Sequence, residues 1–201
     1  VGGHARSLVL LAPLVAEQGL QVTAESVGRM IQELEARHPG KRELSLLASV
    51  RLSLARLPEP ARSQVRALSV FHGAMSYVSL AQVLEIEPEA ALDLCRQLVA
   101  RGLAGAEGPY LIPDPALGPA VAEELTADDL RGLEARWLEA MIGWIAFLYS
   151  MTFKDAQVAA AGSQAALKDL LAALSRAEEK VKTSEFSADS LMSAVTRLQL
   201  L

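Results

Sequence analysis

The 201-residue sequence has one cysteine, few aromatics, no excess of basic residues and no apolar run long enough for a bilayer. A single Cys95 excludes an internal disulfide framework. It sits among Leu92, Leu94, Leu98 and Val99, as a small buried hydrophobe would. With aromatics at 4% against 51% apolar residues, the core is built mainly from Leu, Ala and Val, a mixture that favours helix over sheet. A formal charge of −5 argues against a general polyanion binder, because affinity for nucleic acid rests on Lys and Arg neutralising phosphates. The most apolar stretch, Met141 to Phe153, falls short of the roughly 20 residues of a membrane span. Neither a membrane partner nor a signal peptide is expected, and the setting is read as cytoplasmic.

The apolar spacing predicts a first bundle of three short helices. One runs from Ala5 to Gln18 with a kink at Pro13, one opens with Thr23 as its cap, and one runs from about Glu43 to Ala55. Leu57-Pro58-Glu59-Pro60 punctuates the chain. Beyond it, Ser79 is expected to cap a short helix through Leu84, Glu85-Ile86-Glu87 to turn the chain, and Pro88 to open a helix to Arg101. Two helices joined by such a turn have helix-turn-helix spacing. Gly105, Gly108 and Pro109, between short apolar flanks, predict a hairpin over Leu103 to Ile112, followed by a helix from Pro115 to Leu125.

Thr126 and Asp129 then form a capping pair for a long helix with Leu130, Leu133, Trp137, Met141, Trp144, Ile145 and Leu148 on its apolar face. The aromatics Trp137, Trp144, Phe147 and Tyr149 read as core. Helices around Ser163 to Val181 and Ala188 to Leu201 follow. Leu198, Leu200 and Leu201 leave apolar residues where a solenoid's cap is polar, so the sequence reads as a piece of a longer protein. The expected fold is all-α with a small β wing: a helical domain over 1–57, a winged helix-turn-helix over 58–125 and a solenoid-like helical segment over 126–201.

Leu47-Ala48-Ser49-Val50-Arg51-Leu52-Ser53-Leu54-Ala55-Arg56-Leu57-Pro58, continued by Ala61-Arg62 and by Leu68-Ser69-Val70-Phe71-His72-Gly73, resembles a stretch of the NB-ARC subgroup of STAND signalling NTPases in its bacterial, transcription-regulator-like form. Arg101-Gly102-Leu103 is similar to that family's ending of the third winged-helix helix, and Ala165 to Leu174 to the start of its tetratricopeptide-like sensor. The resemblance covers nearly the whole chain. It implies a parent whose upstream P-loop domain binds ATP or ADP, with this part packed on that domain and coupling nucleotide state to an unknown sensed ligand or protein.

No G-x-x-x-x-G-K-[ST] occurs in the chain, so hydrolysis by this piece, and a cofactor held by it alone, are not expected. By resemblance, the nucleotide-contact candidates are Gly3 and His4, in Gly3-His4-Ala5-Arg6-Ser7-Leu8, and Asp114, in Ile112-Pro113-Asp114. The chain departs from both family motifs. Ala5 stands where the family has proline, and Pro113 where it has the histidine that senses the ADP β-phosphate. Asp114, directly before Pro115, also suits a capping role.

The histidines and Cys95 lack metal-ligand spacing, and no serine stands in a nucleophile elbow, so neither a metal nor a catalytic residue is assigned. In the alternative reading, a winged-helix transcription regulator, Arg96 and Arg101 are the DNA-contact candidates. A protein-binding scaffold is a third reading. From Ala61 to Leu125 the chain has four arginines against eight carboxylates, a balance that disfavours DNA.

Overall fold

A computed structural model of the chain describes residues 5–37, 39 and 44–201. It is mostly helical with one small antiparallel sheet, the expected all-α class with a β wing. The helices are α1 (Ala5–Gln18), α2 (Leu20–Arg37), α3 (Leu44–Ala55), α4 (Ala61–Gln64), α5 (Tyr77–Leu84), α6 (Pro88–Ala100), α7 (Leu117–Ala122), α8 (Ala127–Thr152), α9 (Ala156–Lys182) and α10 (Ala188–Gln199). A 3-10 turn at Val65–Val70 continues α4. Strands β1 (Met75–Ser76), β2 (Ala104–Glu107) and β3 (Tyr110–Pro113) form a sheet in the order β1-β3-β2. The chain divides into two compact units. Unit 1 is Val1–Ser69, Leu92–Glu107 and Leu111–Leu125, and unit 2 is Val70–Ala91, Gly108–Tyr110 and Thr126–Leu201.

In unit 1, α1, α2 and α3 pack on one another around two clusters. Leu11, Leu14 and Val27 form one, with Ile31 and Leu52 against it. Leu34, Leu44 and Ala48 form the other. Gly19, with φ +86, reverses the chain between α1 and α2, a conformation that glycine adopts without a Cβ clash. The second helix therefore begins at Leu20, and Thr23 is not its cap. Thr23 lies inside the helix, where its hydroxyl donates back to the Gly19 carbonyl at 2.8 Å.

Pro13 stays within α1, but it has no N–H to offer the Val9 carbonyl one turn back. Gly102 fills the space above that carbonyl. A Cβ at Gly102 would stand 3.1 Å from Val9 O, and its φ is +70. Nearby, the buried Ser53 hydroxyl donates to Leu10 O at 3.1 Å, tying α3 to α1.

The helix expected from Pro115 to Leu125 is shorter, Leu117–Ala122. Pro115 and Ala116 instead form a turn closed by Leu117 N–H donating to Asp114 O at 2.8 Å. Arg51 reaches Glu123 at 2.8 Å and secures α3 to the end of α7.

In unit 2, Ser76 rather than Ser79 caps α5. The side chain of Ser76 accepts the Ser79 N–H at 3.0 Å, and Ser79 itself is buried in the first turn. Glu85, at φ 55, ends α5 and begins the expected turn. Thr126 and Asp129 close a full capping box at the start of α8. Asp155 caps α9 by accepting Gln157 and Val158 N–H, and Ser187 caps α10.

The apolar face of α8 buries Leu133, Trp137, Leu138, Met141, Ile145 and Leu148. Gly162 lets α9 approach it, since a Cβ there would lie 2.5 Å from a Leu148 methyl. The aromatic set divides. Trp137 is core, Trp144 stacks on Phe147 at 4.9 Å with Phe147 exposed, and Tyr149 meets Phe153 edge-on at 5.3 Å. A helix packed on a single face leaves its other face to solvent, so helical spacing marks the whole set but buries only part of it. Among the described residues, no helix is long and apolar enough to cross a membrane.

Candidate functional site

The corner of unit 1 after the wing carries the one nucleotide-contact candidate that falls among those described, Asp114. Gly3 and His4 lie outside the described residues, as does His38. Asp114 leaves β3 with its own N–H donating to Leu103 O at 2.9 Å. Its Oδ1 accepts the Ala116 N–H at 2.9 Å, an Asx turn across Pro115. Its Oδ2 faces Arg6 Nε at 3.6 Å.

The Asp114 side chain is 12% exposed and that of Arg6 55% exposed. The first turn of α1 and the Ile112-Pro113-Asp114 segment are therefore brought together. The carboxylate is turned toward protein amides, while the guanidinium is open to solvent. A carboxylate repels an anion and a guanidinium binds one, so at this corner an anion would be met by Arg6. The sequence reading assigned Arg6 no role. Its signal was the only positive charge between Val1 and Gly28.

Arg96 and Arg101, the DNA-contact candidates, do not form a patch. Arg96 pairs with Asp93 at 3.7 Å, both well exposed. Arg101 turns back and donates from Nε to Arg56 O at 3.3 Å. The start of α6 exposes Glu87 and Glu89. Cys95 is buried, and burial pushes its thiol up to about 11, so it is a packing residue and not a nucleophile at neutral pH. Among the described residues, no group of His, Cys, Asp and Glu is arranged to hold a metal.

Unit 2 contains a second polar centre, which the sequence reading missed. Asp169 of α9 is 1% exposed. Its Oδ1 accepts the His72 backbone N–H at 3.0 Å and the Trp137 indole N–H at 2.9 Å. The His72 ring packs edge-on against Trp137 at 5.3 Å. The other oxygen, Oδ2, is buried without a hydrogen-bond partner and lies 3.4 Å from where a Gly73 Cβ would be.

Burial raises the Asp169 carboxyl above its usual range, opposed by the His72 amide, the Trp137 indole, the nearby imidazole and the Gly73 amide. The pinned turn, His72-Gly73, lies just past the start of unit 2 at Val70. A signal was present in the sequence. Ala159, Gly162, Ala166, Asp169, Ala173 and Ala177 share one helical face, so Asp169 falls in register with a stripe of small buried residues.

Compared with known proteins, the chain finds no match among family models, curated proteins or solved structures.

Proposed function

We propose that this chain is the regulatory helical and winged-helix portion of a STAND-type signalling NTPase related to the NB-ARC subgroup, and is not itself an enzyme. In that reading an upstream P-loop domain of the same protein holds ATP or ADP. Unit 1 packs on that domain, and the long helices of unit 2 belong to the sensor side. The setting is cytoplasmic, and the partner is the NTPase domain rather than nucleic acid.

The observation that carries the reading is the Arg6–Asp114 contact at 3.6 Å. The two segments whose family counterparts flank the nucleotide share one corner of unit 1. With proline in place of the family's histidine, that position has neither a side-chain donor nor a backbone N–H. The cation at the corner is Arg6, and it takes the role of reading phosphate charge.

Two measurements test this. The coding sequence upstream of Val1 is expected to encode a G-x-x-x-x-G-K-[ST] loop. In the intact protein, hydrogen exchange over residues 5–9 and 112–117 is expected to differ between ADP and ATP. A P-loop-free upstream sequence, or identical exchange in both nucleotides, would remove the reading.

A further inference from the structure

Within unit 2, residues 71–74 join the 3-10 turn that ends at Val70 to strand β1 and belong to no helix or strand. Among the described residues, no backbone–backbone hydrogen bond involves this segment. Its polar hold runs through one side chain. Asp169 of α9 accepts the His72 N–H at 3.0 Å, and the Gly73 amide interacts with the same carboxylate.

The two donors that share Oδ1 differ in what they tie together. Trp137 belongs to α8 and is 3% exposed, so its indole bond to Asp169 at 2.9 Å joins α8 to α9. The His72 bond joins only the irregular segment to α9. The His72 side chain is exposed, and its ring lies over Trp137 edge-on. Gly73 rests flush on α9, since a Cβ there would lie 3.4 Å from both Asp169 Oδ2 and Lys168 Cβ.

In this closed arrangement Oδ2 is buried without a hydrogen-bond partner. A buried carboxylate with an unsatisfied oxygen is costly. Lifting residues 71–74 breaks the His72 bond but gives both the freed N–H and Oδ2 to water, which offsets most of the loss. The Trp137 bond survives, because neither of its helices has to move. A segment outside any helix or sheet ladder therefore opens at far lower free energy than the helices beneath it.

We infer that residues 71–74 form a strap, latched by Asp169, that opens as a local unit and uncovers the Asp169 carboxylate and the edge of Trp137 while α8 and α9 stay packed. The inference does not rest on the nucleotide reading, since it concerns only unit 2.

The test is native-state hydrogen exchange, followed by NMR on the full 201-residue chain at neutral pH and at urea concentrations below the unfolding transition. The His72 amide is expected to be protected, with a protection factor at least roughly tenfold smaller than those of the Ile145 amide and the Trp137 indole. Its exchange stays flat as urea is added, because opening four residues exposes little surface, while that of Ile145 and the indole rises steeply. Asp169→Ala lowers His72 protection relative to Ile145 by about tenfold or more. Where that variant does not fold, the wild-type urea profile decides alone. The inference is overturned by an unprotected His72 amide in wild type, or by His72 protection that matches Ile145 in size and urea dependence. An indole that exchanges together with the strap, or a folded Asp169→Ala variant with unchanged His72 protection, overturns it as well.

Discussion

Asp169 gives the sharpest test of how unit 2 is held together. Replacing it with alanine removes the acceptor of two buried donors, the His72 amide and the Trp137 indole. Each stranded donor costs about 1–3 kcal/mol. Part of that is returned, because a carboxylate disfavoured by burial disappears with the side chain. The net expectation is a loss of about 2–4 kcal/mol for Asp169→Ala at neutral pH.

Asp169→Asn keeps an oxygen at Oδ1 for both donors and discards the charge. Its amide nitrogen falls where Oδ2 has no hydrogen-bond partner and so strands a buried donor in turn. A loss smaller than that of Asp169→Ala, about 1–2 kcal/mol, is expected.

The pH dependence separates charge from packing. The carboxyl is raised in the folded state from an ordinary value of 3.8. Well below 3.8 it is protonated in both states, and its contribution is at its most favourable. As pH rises, the unfolded chain gives up the proton first and is stabilised, so wild type loses stability relative to Asp169→Asn until the folded carboxyl has also ionised. Urea titrations from pH 3 to 8, read by the fluorescence of Trp137 and Trp144, report on unit 2. A wild-type-minus-Asn difference that stays flat over that range, or an Asn variant as damaged as the Ala variant, refutes the reasoning.

Gly102→Ala adds a Cβ 3.1 Å from the Val9 carbonyl at a backbone φ of +70, so chemical denaturation should show a loss of about 1–3 kcal/mol. Thr126→Ala removes the hydroxyl half of the capping box at α8 and should lower the stability of unit 2 by about 1 kcal/mol, whereas Thr126→Ser should be nearly neutral in the same melts. Cys95, buried and pushed up to about 11, should react with a thiol reagent at pH 8 only as fast as the protein opens, so added urea should speed the reaction steeply. Duplex DNA at low salt should leave the anisotropy of a labelled strand unchanged, since Arg96 is paired and Arg101 is turned toward Arg56.

The fold was legible wherever periodicity and turn chemistry agreed. Gly108 with its flanking apolar residues gave the hairpin, Thr126 with Asp129 the start of α8, and the spacing of Leu133, Trp137, Met141, Ile145 and Leu148 its buried face. The misplaced caps have a common cause. Thr23 and Ser79 are good capping residues one turn downstream of where the helices begin, and the true boundaries were set by Gly19 and Ser76. A hydroxyl inside a first turn can donate to the carbonyl behind it as readily as it can cap, so residue type alone does not choose between the two. Burial of the aromatics was over-read for a related reason. Periodicity says which residues share a face, while the neighbours that cover that face are fixed by tertiary structure.

The corner proposed to face the nucleotide was only half legible, and the missing half changes its chemistry. Sequence resemblance pointed to Asp114, whose carboxylate is turned inward to Ala116 N–H and is 12% exposed. An anionic, inward-facing group cannot receive a phosphate. On the proposed reading the group that would receive it is Arg6, to which the sequence assigned no role and which the fold brings to Asp114. A weak, partly solvated pair at 3.6 Å holds Arg6 near the corner without consuming its charge. On the proposed reading, an incoming phosphate would compete for Arg6 with Oδ2 alone, while Oδ1 keeps the Ala116 N–H. If Arg6 rather than a histidine reads the phosphate in the intact protein, Arg6→Ala should abolish the nucleotide-dependent exchange difference at residues 112–117. Pro113→His in that background should restore part of it, whereas Asp114→Asn should leave the difference in place and lower only the stability of unit 1.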